Sequence, residues 1–180
     1  GNTDIYLYDL STNTERRITT NTSNPADPAI SGNQIVWEDY RNSSPDIYLY
    51  DLSTNTERRI TSSPGYEFNP AISGNQIVWE DYRNKNYDIY LYDLSTNIEK
   101  QITGNWSHQR IPAISNNNIV WYDARKGNYD IYMYSVPPLN CGDNICQPDE
   151  GYIRCQRDCP SMRCGDGFCS AMDGENGQNC

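Results

Sequence analysis

Short stretches of this chain carry apolar or aromatic side chains on both faces of an extended strand. In the segment DIYLYDL that begins at Asp46, Ile47 and Leu49 would face one side, and Tyr48 and Tyr50 the other. A strand with one face in water would instead alternate apolar and polar residues. The pattern therefore predicts β-strands in sheets that are covered on both faces.

These stretches recur every 42 residues, as from Asp4 to Asp46. A DIYxY segment, a PAIS segment and a tryptophan repeat at fixed spacing, at Asp4, Asp46, Asp88, Asp130, Pro28, Pro70, Pro112, Trp37, Trp79 and Trp121. No part of the unit has helical periodicity, and two of its segments are rich in Tyr, Ile, Val and Trp. A period in the low forties with several short strands predicts the blades of a β-propeller.

One unit predicts four strands, at residues 28–31, 34–39, 46–52 and 57–61. The fourth is mostly charged, as expected for an outer edge strand. Applied to the whole chain, the pattern gives thirteen strands, which form two full blades and two partial ones. The predicted fold class is therefore all-β, with four-stranded propeller blades that are incomplete in this chain.

The composition changes near Pro137, where the repeat decays, so residues 1–136 are assigned to the propeller and 137–180 to a tail. The tail contains two CGDxxC repeats, of which the second is truncated, and all seven cysteines: Cys141, Cys146, Cys155, Cys159, Cys164, Cys169 and Cys180. With almost no apolar residues, this segment is predicted to depend on disulfides, whose connectivity stays open. Zinc is a weaker alternative, because the tail has no CxxC pair and no nearby histidine.

Acidic residues lie between these cysteines, and their oxygens are ligands that calcium prefers. The candidates are Asp143, Asp149, Glu150, Asp166, Asp173 and Glu175. A solvated acidic surface explains them equally well. Calcium is therefore a candidate cofactor, and the only one that the sequence indicates.

The net charge of −10 argues against a nucleic-acid partner, which requires clustered cations. No run of about 18 apolar residues is present, so no membrane span is predicted. The first residues already belong to the repeat and show no signal peptide, as expected for a mature secreted protein or an internal fragment.

The pattern PAIS–IVWED–DIYLYDLST–RRIT resembles the TolB-type propeller repeat, and more closely the near-identical tandem repeats of archaeal and bacterial cell-surface proteins. The tail resembles short Cys-rich repeats of secreted bacterial and archaeal proteins. These resemblances imply four-stranded blades and an extracellular or cell-surface location. TolB-type repeats occur in binding proteins, peptidase propellers and carbohydrate-active enzymes, so the fold alone does not give the function.

Carboxylates recur in every unit and have two interpretations. They could bind calcium in each blade, or they could cap turns and pair with arginines of the same blade. We favour the second, because one ligand rarely needs several identical sites. The residues concerned are Asp4, Asp46, Asp88, Asp130, Asp9, Asp51, Asp93, Asp39, Asp81 and Asp123.

The repeat loses its sequence but keeps its length in the connections 20–27, 62–69 and 104–111. In a propeller these connections share one face with the loops 41–45, 83–87 and 125–129. Aromatic and polar side chains there suit sugar or peptide binding, although loop drift without selection is an alternative. The candidate ligand-binding residues are Tyr66, Glu67, Phe68, Trp106, His108 and Arg110.

Three N-glycosylation sequons fall in loops predicted on the same face, at Asn21, Asn42 and Asn105. Chance also produces sequons in a chain rich in Asn, Ser and Thr. Covalent glycans are therefore an open prediction.

No catalytic motif is recognisable, and the lone His108 has no defined Ser or Cys partner. We therefore predict a non-catalytic structural or adhesive module rather than an enzyme. The partial blades indicate a piece of a longer polypeptide, or protomers that complete each other's sheets by strand addition into a ring or filament. The alternative is a propeller domain of a secreted carbohydrate-active enzyme or peptidase that binds ligand through its variable loops.

Overall fold

The computed structural model describes residues 2–136, which form strands and turns and contain no helix that could cross a membrane. It confirms the predicted all-β class and the thirteen strands. Blade 1 contains β1 (Tyr6–Asp9) and β2 (Thr14–Arg17); blade 2 contains β3 (Ala26–Ser31), β4 (Gln34–Asp39), β5 (Asp46–Asp51) and β6 (Thr56–Arg59); blade 3 contains β7 (Glu67–Ser73), β8 (Gln76–Asp81), β9 (Asp88–Asp93) and β10 (Ile98–Gln101); blade 4 contains β11 (Gln109–Ser115), β12 (Asn118–Asp123) and β13 (Asp130–Ser135).

Each blade is an antiparallel sheet whose strands pair in chain order. Blades 2 and 3 have four strands. The two strands of blade 1 are equivalent to the third and fourth strands of a full blade, and the three strands of blade 4 are equivalent to the first three. The first strands β3, β7 and β11 lie side by side, which places them at the inner end of successive blades. The predicted partial blades are therefore present at both ends of the described segment.

The first strands begin earlier than the sequence predicted. Residues 67–69 and 109–111 were expected in connections, yet 67–68 and 109–110 pair with β8 and β12, and a β-bulge follows each pair. Asp27, Asn69 and Ile111 sit in this bulge with φ of 47°, 51° and 52°. A proline follows each of them and lacks a backbone N–H. Because proline is unfavourable inside a strand, the sequence pattern did not predict that pairing continues before it.

The core lies between blades rather than within them, because the sheets of blades 2 and 3 bury both faces against their neighbours. Val36, Ile47 and Leu49 of blade 2 pack against Trp79 and Tyr90 of blade 3. The same aliphatic-on-aromatic contact joins blade 1 to blade 2 and blade 3 to blade 4. We call these the aliphatic face and the aromatic face of a blade.

A polar network anchors the tryptophan of each aromatic face. Trp37 Nε1 donates to Asp39 Oδ2 at 3.0 Å, and Arg41 Nε donates to Asp39 Oδ1 at 2.9 Å. The Arg41 guanidinium lies 4.0 Å above the ring of Tyr48 and reaches Glu57 at 2.6 Å. Burial disfavours the charge of Asp39, but the bonds from Arg41 and Trp37 outweigh it and lower the pKa of Asp39 to about 2.

A buried glutamate links each full blade to the next one. Glu38 accepts the Asn69 backbone N–H at 2.7 Å, and Glu80 accepts the Ile111 N–H at 2.5 Å. These donors are the bulge residues, so the left-handed backbone aims its N–H at the preceding blade. Within blade 3, Asn69 Nδ2 also donates to Glu80 at 2.8 Å.

In blade 2 the residue equivalent to Asn69 is Asp27, which can only share a proton with Glu38. Burial and this second carboxyl raise the pKa of Glu38 to about 7, against the bonds from Asn69 and Tyr40. Blade 2 thus contains a carboxyl pair where blade 3 contains a satisfied carboxylate–amide pair.

Replacement of Asp39 by Asn should lower the free energy of unfolding by about 3 kcal/mol at pH 7, because it leaves the Arg41 guanidinium without its buried partner. In the native protein this carboxylate titrates below its ordinary value of 3.8, so its contribution is present above about pH 4 and is lost as the pH falls towards 2. Urea unfolding between pH 7 and pH 2 measures both effects.

Asp51→Asn is the matched control. Asp51 caps an exposed turn by accepting the Ser53 N–H, and an asparagine oxygen can also accept this bond. Equal losses in the two variants would contradict the network.

Asp27→Asn should stabilise the protein at pH 8 by about 1 kcal/mol and have little effect at pH 5. The raised pKa of Glu38 means that its protonated form favours the fold, so stability falls as the pH rises from about 4.5 through 7. An amide at position 27 would donate to Glu38 and remove the part of this loss that comes from the second carboxyl, whereas the part that comes from burial would remain. Unfolding measured at both pH values tests it, with Asn69→Asp as the reverse exchange in blade 3. No gain from Asp27→Asn at pH 8 would refute the shared proton.

Candidate functional site

Blades 3 and 4 join at one face of the propeller through hydrogen bonds between loops and strand ends. The Gln109 N–H donates to the Tyr87 carbonyl at 2.7 Å, and Asn86 Nδ2 donates to the Asn105 carbonyl at 3.0 Å. The Tyr82 N–H reaches the Tyr66 carbonyl at 3.0 Å. The connections 62–69 and 104–111 and the loop 83–87 therefore meet at this face, as the sequence predicted.

Aromatic rings form a continuous chain at this junction, centred on Tyr87. Its ring lies 4.9 Å from Tyr82, 5.4 Å from His108 and 6.2 Å from Phe68. Tyr66 stacks on Phe68 at 6.3 Å. The Arg110 guanidinium lies 4.4 Å from the centre of the Tyr87 ring. We call Tyr66, Phe68, Tyr82, Tyr87, His108 and Arg110 the Tyr87 cluster.

Departures from the repeat create this cluster. The positions of Tyr66, Phe68 and Tyr87 are occupied one unit earlier by Asn24, Ala26 and Pro45. The equivalent positions one unit earlier therefore carry none of these three rings. The aromatic surface is a property of one junction and not of the repeated scaffold.

Two contacts fix the polar members of the cluster. Arg110 Nε donates to buried Glu80 at 3.1 Å, and this ion pair orients the guanidinium over Tyr87. His108 Nδ1 accepts the Tyr87 backbone N–H at 3.2 Å, which commits that nitrogen to an acceptor role. This arrangement presents rings and a cation, and it does not supply an activated nucleophile.

Four of the six predicted ligand-binding residues meet in the cluster, and two do not. Glu67 is buried beneath the face, where Thr61 Oγ1 donates to it at 3.2 Å and Ser63 donates to its other oxygen. Burial, with the charges of Asp81 and Asp46, raises its pKa to about 7. Trp106 is largely exposed, and no ring contact found within residues 2–136 joins it to the cluster.

Sequence reasoning missed Tyr82 and Tyr87. Tyr82 belongs to the repeated VWEDY segment and so resembles scaffold. Tyr87 replaces Pro45 in a loop that was already assigned to this face, and that exchange was the available signal.

The repeated carboxylates mostly make the contacts expected of scaffold. Arg17 pairs with Asp4 at 2.8 Å, Arg59 with Asp46 at 2.6 Å and Arg83 with Asp81 at 2.5 Å. Asp9, Asp51 and Asp93 accept the N–H of the serine two residues later. Within residues 2–136, no three Asp, Glu, His or Cys side chains converge as a metal site.

The predicted glycosylation sites differ in their local bonds. Asn42 Nδ2, the atom that a glycan would modify, donates to Asp46 at 3.0 Å and to the Tyr48 hydroxyl at 2.8 Å. Asn21 and Asn105 use their Oδ1 atoms to accept the N–H of Ser23 and Ser107. Glycosylation of all three stays a prediction.

The disulfide and calcium predictions fall on the tail and lie outside the described residues. They concern Cys141, Cys146, Cys155, Cys159, Cys164, Cys169 and Cys180, and Asp143, Asp149, Glu150, Asp166, Asp173 and Glu175.

No protein-family model and no curated protein matches the sequence. Solved structures do match. TolB from Acinetobacter baumannii is 25% identical over 75% of this chain and 35% of its own, with a TM-score of 0.62. A putative TolB from Agrobacterium tumefaciens is 22% identical over 74% of this chain and 51% of its own, with a TM-score of 0.61.

The β-propeller domain of the Trilobed protease from Pyrococcus furiosus, which has an open velcro topology, is 19% identical over 63% of this chain and 39% of its own, with a TM-score of 0.52. This chain thus spans between a third and about half of the TolB structures that it matches. The repeats of this chain have the fold of TolB-like β-propellers, which confirms the propeller prediction.

Proposed function

We propose that this chain is a non-catalytic extracellular or cell-surface module that associates head to tail through the two end blades of its propeller segment. The product is a ring if the rotation between copies closes and a filament if it does not. The observation that carries the proposal is that the end blades expose the side chains that inner blades bury.

The aromatic face of blade 1 lacks a neighbour within the described residues. Tyr6 is 53% exposed, whereas Tyr48, its equivalent in blade 2, is 6% exposed. Tyr8 and Leu10 are exposed beside it. The exposed face of blade 1 is therefore an aromatic face. In blades 2, 3 and 4 the equivalent face packs against the preceding blade.

Blade 4 presents the opposite surface. Ile131 is 72% exposed, whereas its equivalent Ile89 is 0% exposed, and Met133 is exposed where Leu91 is buried. Strand β13 also has one unpaired edge, because the described part of blade 4 has no fourth strand. An apolar sheet face beside an open strand edge favours association.

The two surfaces are complementary, because every internal junction packs an aliphatic face on an aromatic face. Blade 4 of one copy offers the aliphatic face, and blade 1 of another offers the aromatic face. The contact is heterologous, since each copy contributes a different surface. A further segment of the same polypeptide with the same repeat would satisfy the same surfaces.

The extracellular location rests on the resemblance of the repeats and on the cysteine density of the tail. The non-catalytic role rests on the near-identity of the blades, because a single active site usually makes them diverge. The ring cluster at the junction of blades 3 and 4 supports a second candidate function. There the chain would bind a ligand, as a propeller domain of a secreted carbohydrate-active enzyme or peptidase does.

Two exposed substitutions test the head-to-tail contact: Met133→Glu on blade 4 and Tyr6→Glu on blade 1. Each places a charge in the proposed interface, so each should abolish higher oligomers of the full chain in light scattering coupled to size exclusion. A mixture of the two variants should give one-to-one dimers and nothing larger, because each retains one intact surface. Ile98→Glu, exposed on β10 and away from both end faces, is the control and should assemble like the wild type. A wild-type chain that stays monomeric at every concentration tested would overturn the proposal.

Ligand binding at the Tyr87 cluster is tested by an array of neutral and acidic oligosaccharides, followed by titration of any sugar that binds. Tyr87→Ala should weaken binding at least about tenfold, because it removes the ring that contacts Phe68, His108 and Arg110. Tyr129→Ala, at the equivalent position of blade 4, is the matched control and should bind like the wild type. Equal affinity of the Tyr87 variant, or no sugar bound by the wild type, would remove carbohydrate as the ligand.

A further inference from the structure

One buried carboxylate of the repeat, in blade 3, lacks the arginine that its equivalents in blades 1 and 2 have. Asp4 and Asp46 pair through Oδ1 with Arg17 and Arg59 from the neighbouring outer strand. In blade 3 the position of Arg59 is held by Gln101, whose Nε2 donates to the Thr103 carbonyl at 2.7 Å. Asp88, equivalent to Asp46, therefore has no guanidinium partner.

The structure leaves this carboxylate buried and only partly satisfied. Asp88 is 1% exposed, its Oδ2 accepts from Asn84 at 3.1 Å, and its Oδ1 has no hydrogen-bond partner among the described residues. Oδ1 is the same atom that Arg59 contacts in blade 2. Burial raises the pKa of Asp88, and the nearby polar side chains of Asn84, Asn86 and Thr103 oppose this shift only in part. A buried oxygen of this kind requires a donor or a cation.

A second buried oxygen at the same junction also lacks a donor. Gln109 is fully buried, its Nε2 donates to the Ser107 carbonyl at 2.7 Å, and its Oε1 has no partner among residues 2–136. The Gln109 N–H bonds to the carbonyl of Tyr87, the residue before Asp88. One unit earlier, the equivalent residues Asp46 and Glu67 are close enough for the charge of one to raise the pKa of the other.

The geometry points to a binding site for a small, singly charged cation at the junction of blades 3 and 4, with Asp88 Oδ1 as its anionic ligand and Gln109 Oε1 as a neutral ligand. The ion would supply the positive charge that Arg59 supplies in blade 2. This cation site does not depend on the head-to-tail contact or on sugar binding.

The donor set decides the class of ion. Carboxylate and amide oxygens are hard ligands, which suit sodium, potassium or calcium rather than a transition metal. No three acidic, His or Cys side chains converge in the described part of the chain, and the second carboxylate near Asp88 is Asp81, whose charge raises the pKa of Asp88. Asp81, the next carboxylate, is already paired with Arg83 at 2.5 Å. One carboxylate balances one positive charge, which favours sodium or potassium.

Thermal unfolding of the full chain in sodium chloride and in choline chloride at equal ionic strength tests the site at pH 8. We expect the midpoint of the wild type to be about 3 °C higher in sodium, since an ion that binds only the folded state stabilises it. Gln101→Arg should raise the midpoint in choline and abolish the difference between the salts, because a guanidinium then occupies the position. Asp88→Asn should also abolish the difference. Potassium and calcium chlorides, run in parallel, establish which ion is preferred.

The broadening of the sodium-23 resonance gives a second measurement on folded protein. The wild type should broaden it, and Gln101→Arg should not. Equal wild-type midpoints in sodium, potassium and choline would overturn the site, as would a salt effect that survives in Gln101→Arg. A midpoint that rises only with acidification, with no difference between the salts, would show that a proton alone satisfies Asp88.

Discussion

The structure depends on the burial of sheet faces between neighbouring blades. A single blade of four short strands has no interior of its own, and its tryptophan and isoleucine side chains become buried only when an adjacent sheet covers them. Trp79 and Ile89 are fully buried because they lie on opposite faces of blade 3 and each has a neighbouring blade. Each large apolar side chain contributes roughly 2 kcal/mol when buried. Several such side chains pack at each junction, so together they outweigh any single polar contact in the chain.

Polar groups connect successive blades of this stack. The Trp–Asp–Arg network holds each tryptophan on the aromatic face, and the glutamate at the end of the second strand receives the bulge N–H of the next blade. Both devices place a carboxylate in a buried position, where it is stable only with its donors. Trp, Asp and Arg accordingly occupy the same positions in blades 2, 3 and 4, because loss of one donor leaves a buried charge.

Chemistry specific to this chain accumulates where those donors change. At the junction of blades 3 and 4, Pro45 is replaced by Tyr87, Arg59 by Gln101 and Glu67 by Gln109. The first exchange builds the aromatic surface, and the other two alter the charge balance beneath it. The junction of blades 2 and 3 has neither feature, although the two have nearly the same backbone hydrogen bonds. Variation in an otherwise constant repeat thus marks the junction where this chain differs most from its own scaffold.

The sequence by itself determined the class, the period, the thirteen strands and the two-sided burial, because all of these follow from local alternation repeated at a fixed interval. It also placed Tyr66, Phe68, His108 and Arg110 at one face, since loops at equivalent positions of a propeller must share a face. Only the tertiary structure decided that Glu67 points inward, that Tyr87 is the centre of the ring cluster, and that Asp88 lacks the partner that Asp46 has. Those outcomes depend on the bulge in the first strand and on contacts between residues of different blades, which no local pattern along the chain specifies.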